Sequence, residues 1–88
     1  SYVVNAHFLS AEASYQTNQY EQVVSILEKM VTHYPENDLT GFALLRLAKV
    51  YEYEERVEDA IDIYRLILKE YKSTPLRKQA KKQMELVL

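Results

Sequence analysis

The chain offers few residues whose types and spacing could perform chemistry. Its two histidines, His7 and His33, lie on different predicted helices, and no HxxxH or HExxH spacing occurs. The sequence contains no cysteine, so thiolate metal sites, disulfides and a cysteine nucleophile are excluded. A zinc-type site would therefore lack its ligands, and we expect neither a metal nor another cofactor.

Clustered carboxylates are the remaining candidates for catalysis. Residues 52–55 read Glu-Tyr-Glu-Glu, and Glu58 is followed by Asp59. General acid–base catalysis requires a carboxylate in a dry cleft with a shifted pKa. These residues instead lie beside a predicted turn or at a predicted helix start, where solvated carboxylates are typical. Because no serine is placed for nucleophilic catalysis and a single glycine cannot form a phosphate-binding loop, we predict that the chain is not an enzyme.

Charge and hydropathy narrow the choice of partners. The 88 residues include 11 basic and 13 acidic ones, a net charge of −2, so no strong field favours nucleic acid. The sequence has no run of about 18 apolar residues, so we expect no insertion into a membrane. One basic stripe stands out near the C-terminus, and it either meets an acidic partner or lipid head groups or forms a solvated outer face. Its members are Arg77, Lys78, Lys81 and Lys82.

The apolar residues recur at three- and four-residue steps, which predicts five helices over about 2–16, 19–33, 39–54, 57–71 and 75–88. Asn18 is predicted to cap the second helix, with Glu21 three residues on as a capping box. Pro35 ends that helix, and the Asn-Asp pair at 37–38 is predicted to cap the third. Ser73 or Thr74 is expected to cap the fifth, because a proline follows at its first position.

The pattern repeats internally. Tyr20-Glu-Gln-Val-Val and Val57-Glu-Asp-Ala-Ile occupy the same place in two units that are 37 residues apart, and the same shift relates Ala11 to Ala48. Each unit is predicted to be a pair of helices joined by a short turn. A single pair cannot bury both of its faces, so the pairs must stack into a solenoid.

These repeated residues resemble the tetratricopeptide repeat family. The second unit carries the family's pattern of bulky, small and aromatic positions, and the first unit matches it more weakly at Ala11, Val23, Leu27 and Pro35. The resemblance implies an all-α, right-handed α-solenoid of antiparallel helix pairs, with one domain over residues 1–88. Its parts would be a first repeat (about 2–35), a second repeat (about 39–72) and a capping helix (about 75–88). The matching residues of the second unit are Leu44, Leu47, Ala48, Tyr51, Ala60 and Tyr64.

A finer likeness concerns the turns between units. His33-Tyr-Pro-Glu-Asn-Asp-Leu and Glu70-Tyr-Lys-Ser-Thr-Pro-Leu resemble bacterial envelope proteins of the BamD and Tol-Pal-associated type. This likeness favours the periplasm or cell envelope of a bacterium, with the cytoplasm as the alternative. Because the chain begins at Ser1 with two and a half repeats, we expect it to be part of a longer protein, or to self-associate through its apolar ends.

The resemblance also implies a function and a surface. In this family the first helix of each pair lines a concave face, so we predict a scaffold or adaptor that binds a protein or peptide there. The alternative is an oligomerisation or spacer module, in which the same positions meet a second copy. Phe8, Phe42 and Leu45 are expected either to contact the partner or to be buried under a neighbouring helix. The predicted contact residues are Phe8, Glu12, Tyr15, Phe42, Leu45, Arg46, Lys49, Tyr53, Lys82 and Gln83.

Overall fold

The computed structural model of the chain describes residues 2–88, and all the regular structure in that range is helical. All five predicted helices are present, each within one residue of its predicted bounds. They are α1 (Tyr2–Gln16), α2 (Tyr20–His33), α3 (Asp38–Tyr53), α4 (Val57–Glu70) and α5 (Thr74–Val87).

Burial follows the helical period. In α2 the buried side chains are Val23, Leu27 and Met30, and the residues 37 positions later, Ala60, Tyr64 and Ile67, are buried in α4 together with Ile61. Steps of three and four residues place each set on one stripe, which is the stripe that the neighbouring helix covers. The repeat seen in the sequence is therefore a repeat of buried positions.

Helix α3 is the centre of the fold, because it packs against each of the other four helices. The first pair, α1 with α2, recurs as α3 with α4. The contacts of α3 with α1 and α2 recur as the contacts of α5 with α3 and α4. This translation of one set of contacts onto the next confirms an all-α helical repeat.

The turn that follows each first helix is built the same way in both units. Asn18 and Glu55 have φ values of 61° and 60°, in the left-handed region. The amide of Gln19 donates to the carbonyl oxygen of Ser14 at 2.8 Å, and the amide of Arg56 donates to the carbonyl oxygen of Tyr51 at 2.8 Å. Both turns are Schellman-type helix ends, in which a left-handed residue lets the chain reverse.

The predicted capping box at Asn18 is wrong, because Asn18 belongs to the end of α1 and not to the start of α2. Gln19 is the residue that precedes α2, and no side chain caps that helix. The left-handed backbone of Asn18 ends α1 instead, and its side-chain oxygen accepts a hydrogen bond from the hydroxyl of Tyr20 at 2.9 Å. The cap at Asn37 is confirmed, since its side chain accepts from the amide of Leu39 at 2.9 Å. Ser73 precedes α5 as predicted, but its side chain makes no capping bond.

The only glycine lies where two first helices approach closely. A Cβ atom at Gly41 of α3 would overlap Leu76 Cδ2 of α5 and lie 3.0 Å from Tyr71 Cδ1. Both of those side chains are buried, so neither can move aside freely. The hydroxyl of Tyr71 also donates to the carbonyl oxygen of Pro35 at 2.6 Å, which ties the turn after α4 to the turn after α2.

Glu55→Gly is expected to stabilise the protein. A non-glycine residue in the left-handed region costs about 1 kcal/mol, and Glu55 also places a negative charge beside the C-terminus of α3, where the helix dipole disfavours it. Urea unfolding should show a free energy of unfolding that is higher by about 1 kcal/mol.

Asn18→Gly is the matched control for that substitution. Asparagine tolerates the left-handed region, and the change removes the hydrogen bond that Asn18 accepts from Tyr20. We expect little or no stabilisation from Asn18→Gly. Equal effects at the two turns would contradict the account of backbone strain at Glu55.

Candidate functional site

The first helices α1, α3 and α5 enclose a cavity of about 160 Å³, here called the first-helix groove. Seven of the ten predicted contact residues meet at this cavity. Its lining also includes Gln79, which was not among those ten. The lining residues are Phe8, Glu12, Phe42, Leu45, Arg46, Lys49, Gln79 and Gln83.

Two polar contacts cross the groove as rungs between successive first helices. Arg46 donates to both carboxylate oxygens of Glu12, with Nε–Oε1 at 2.7 Å and Nη2–Oε2 at 2.9 Å. Lys49 Nζ donates to Gln83 Oε1 at 3.0 Å. The repeat spacing maps the first rung onto the second, because Glu12 corresponds to Lys49 and Arg46 to Gln83. Sequence reasoning identified these four residues but treated them as separate contacts for a partner.

The apolar part of the groove is only partly open. Leu45 is 8 % exposed, so the alternative prediction of burial holds for this residue. Phe8 and Phe42 are half-buried and pack against the main core while still lining the cavity. The groove therefore presents two aromatic edges between charged walls.

A cluster of three tyrosines adjoins the charged wall of the groove. The rings of Tyr20 and Tyr53 stack at a centroid distance of 5.9 Å and an interplanar angle of 7°, and Tyr15 lies 6.1 Å from Tyr20. The guanidinium of Arg46 lies 4.7 Å from the centre of the Tyr15 ring, a cation–π contact. Tyr53 is 62 % exposed. The structure thus brings together the predicted residues Tyr15 and Tyr53, and it adds Tyr20, which was not among the ten predicted contact residues.

Burial perturbs the phenols near the groove. Desolvation, together with a hydrogen bond to Tyr53, raises the pKa of Tyr15 from 10.0 to about 12. Burial and a hydrogen bond from the Tyr64 hydroxyl to the Glu52 carboxylate raise the pKa of Tyr64 well above its usual value. Both phenols stay neutral at ordinary pH, so they act as hydrogen-bond donors and not as bases.

Lys82, the last of the ten predicted residues, lies on the exposed outer face of α5. That face differs in character from the corresponding face of α3. Four positions of α3 are buried, and the residues 37 positions later in α5 are exposed and mostly cationic. The pairs are Gly41 and Lys78, Leu44 and Lys81, Leu45 and Lys82, and Ala48 and Glu85. This face of α5 therefore does not repeat the apolar surface that α3 presents, because its ammonium groups must stay in water or meet carboxylates.

Neither a cluster of metal ligands nor a membrane-spanning helix occurs among residues 2–88. No three or more histidine, aspartate or glutamate side chains come together there as a possible metal site. In the same range, no helix is both long and apolar enough to cross a membrane.

Stacked helix pairs with a groove lined by their first helices define a helical-repeat protein. The model of a family described as tetratricopeptide repeat-like domain matches residues 1–75, so the chain belongs to this family. No curated protein and no solved structure matches the chain. The predicted family is therefore confirmed, whereas the likeness to BamD and Tol-Pal-associated proteins stays a prediction. Repeat domains of this family are generally protein-interaction modules without enzymatic activity.

The rung between Glu12 and Arg46 is expected to stabilise the stacking of α1 on α3. A double-mutant cycle with Glu12→Ala and Arg46→Ala should give a coupling free energy of about 1 kcal/mol in urea unfolding, because the pair is bidentate and only partly exposed. The matched cycle with Lys49→Ala and Gln83→Ala should give less, since its acceptor is neutral. A coupling near zero for the charged rung would show that it is a solvated surface pair.

Stability is expected to fall at alkaline pH. Folding raises the pKa of Tyr15 above its unfolded value of about 10, so the folded state holds this proton longer. The resulting stability is present below pH 10 and is lost as the pH rises through about 12. Urea midpoints measured between pH 9 and 12 should fall less steeply for Tyr15→Phe than for the unchanged protein. Identical slopes would mean that the phenol titrates alike in both states.

Proposed function

We propose that this chain is an interaction module that holds an extended or helical segment of a partner protein in the first-helix groove, and that it is not an enzyme. The observation that carries the proposal is that the half-buried Phe8 and Phe42 line one groove with Arg46, whose guanidinium contacts the tyrosine cluster that includes the exposed Tyr53. Rigid aromatic side chains of this kind supply most of the energy in many protein interfaces.

The rungs support this proposal by fixing the shape of the groove. Arg46 is held by Glu12 and by the Tyr15 ring, and Lys49 is held by Gln83. Their side chains are ordered before a partner arrives, so binding loses less conformational entropy. The charge of Arg46 is matched by Glu12, and Lys49 Nζ lies 3.4 Å from Glu52. Lys82, next to the lining residue Gln83, is the cation that we propose meets an acidic group of the partner.

The preferred partner is therefore a segment with two or more bulky apolar side chains and a nearby carboxylate. Recognition by a few anchors along a helix-lined groove is a common way of binding peptides. We also propose a bacterial envelope setting, on the likeness of the turn phrases at 33–39 and 70–76 to envelope adaptors.

Selection of peptides from a random library against the 88-residue chain tests the proposed groove. For the selected peptides, Tyr53→Ala and Lys82→Glu should each raise the dissociation constant about fivefold or more, measured by isothermal titration calorimetry. Tyr53 and Lys82 are suitable because both are exposed, so their replacement should not disturb the core.

The matched controls are Val57→Ala and Lys69→Glu, which change an exposed apolar and an exposed cationic residue of α4. Neither residue belongs to the tyrosine cluster or is next to a residue that lines the first-helix groove, so both variants should bind like the unchanged chain. Peptides that bind all four variants equally would show that they use another surface, and the proposal would fail.

A further inference from the structure

A second groove runs between α2 and α4, on helices that do not line the first. Within the described residues no Cα atom of α2 lies within 8 Å of one in α4, although both helices pack against α3. Two cavities of about 660 and 330 Å³ lie in the gap, and a third of about 240 Å³ lies between α2 and the end of α3. Val31, Leu44 and Leu66 line both the first and the second cavity, and Val24 and Tyr51 line both the second and the third. The three form one continuous channel, here called the second-helix groove.

The inner surface of this groove is apolar and partly open. Val31 of α2 and Leu66 of α4 are 42 % and 40 % exposed, and the buried Leu44 of α3 lies between them as the floor. Large aliphatic side chains exposed together along a groove are unusual on a solvated surface and commonly mark a contact site.

The rim of the same groove is strongly acidic. Six carboxylates line the three cavities, against only two cations, Arg56 and Lys72. Arg56 is already engaged, because its Nε lies 2.8 Å from Asp59 Oδ2. The expected occupant is thus cationic at its edges and apolar at its centre. The six carboxylates belong to Glu21, Glu28, Glu36, Asp38, Glu54 and Glu70.

Helix α5 of the same chain has the opposite character. Residues 74–88 contain four basic residues and one acidic residue, whereas the remainder contains seven basic and twelve acidic residues. Lys78, Lys81 and Lys82 are exposed, and Leu86 and Leu88 beyond them are 70 % and 71 % exposed. With 14 residues, α5 matches the length of both α2 and α4.

We propose that the chain self-associates by placing α5 of one copy in the second-helix groove of another. The aliphatic stems of the lysines cover the apolar floor while their ammonium groups reach the rim carboxylates. Leu86 and Leu88 then bury themselves against Val31 and Leu66. The contact joins two different surfaces, so it is a heterologous one, which closes into a ring or continues as a chain of copies.

Sedimentation velocity of the 88-residue chain gives the first test. The mean mass should rise with protein concentration and fall as salt is raised from about 0.05 M to 0.5 M, because the attraction is largely between exposed charges. A single monomeric species at every concentration and salt level would overturn the proposal.

A charge exchange identifies the two surfaces. Glu28→Lys with Glu70→Lys makes the groove basic, and Lys78→Glu with Lys81→Glu makes α5 acidic. For each double variant alone, the dissociation constant for self-association should be about tenfold higher or more. An equimolar mixture should recover association, since each altered surface then meets its complement. Failure of the mixture to recover, with both variants folded by circular dichroism, would overturn the proposal.

The matched controls reverse the same number of charges outside the three cavities. One control is Glu58→Lys with Asp62→Lys, and the other is Lys29→Glu with Lys69→Glu. All four residues are exposed on α2 or α4. These variants should associate like the unchanged chain, and a tenfold loss in them would overturn the assignment. Because the exchanged residues do not line the first-helix groove, peptide binding there is measured separately and tests the proposed function alone.

Discussion

The fold depends on the burial of α3 by all four of its neighbours. A residue of α3 that these neighbours bury must satisfy its polar groups within the protein, and Thr40, which is fully buried, does so by donating its hydroxyl to the carbonyl oxygen of Tyr34 at 2.7 Å. The other four helices are each covered on fewer sides and keep a polar face. The two pairs are therefore not independent: each buries apolar surface that the other would leave in water.

The repeat that relates α1 and α3 to α3 and α5 also places polar side chains at equivalent positions along the first-helix groove. Because first helices stack on one another, a side chain of one reaches the next at a separation of 34 residues, as in both rungs. The first rung is an ion pair and the second is a cation with an amide, so the two ends of the groove differ in charge while sharing one geometry. The cationic side chains without a carboxylate across the groove therefore lie at the α5 end of the groove and not at the α1 end.

Much of the fold could be predicted from the sequence because helical periodicity and chain breakers are local signals. The five helices follow from apolar spacing, from Pro35 and from the turn residues around it. Asn18 was misassigned because asparagine favours both the start of a helix and the left-handed residue after one. The left-handed φ of Asn18 and the hydrogen bond from the Gln19 amide to the Ser14 carbonyl oxygen distinguish the two.

The candidate site was predicted in part. Family resemblance placed seven residues at one groove, but the pairing of Glu12 with Arg46 depends on how far one helix is shifted along another, which no local pattern encodes. The stacking of Tyr20 on Tyr53 was missed for the same reason, since these residues lie on different helices and meet only through the packing of α2 beside α3.

The bond from Tyr71 to Pro35 bears on the mechanics of the array. It joins two successive inter-pair turns along one edge, and Gly41 beneath it allows no slack between α3 and α5. On the opposite edge, the turns at Asn18 and Glu55 are linked among the described residues by the stacked rings of Tyr20 and Tyr53. A ring stack slides more easily than a hydrogen bond stretches, so we expect the array to flex more at that edge and the width of the first-helix groove to change with it.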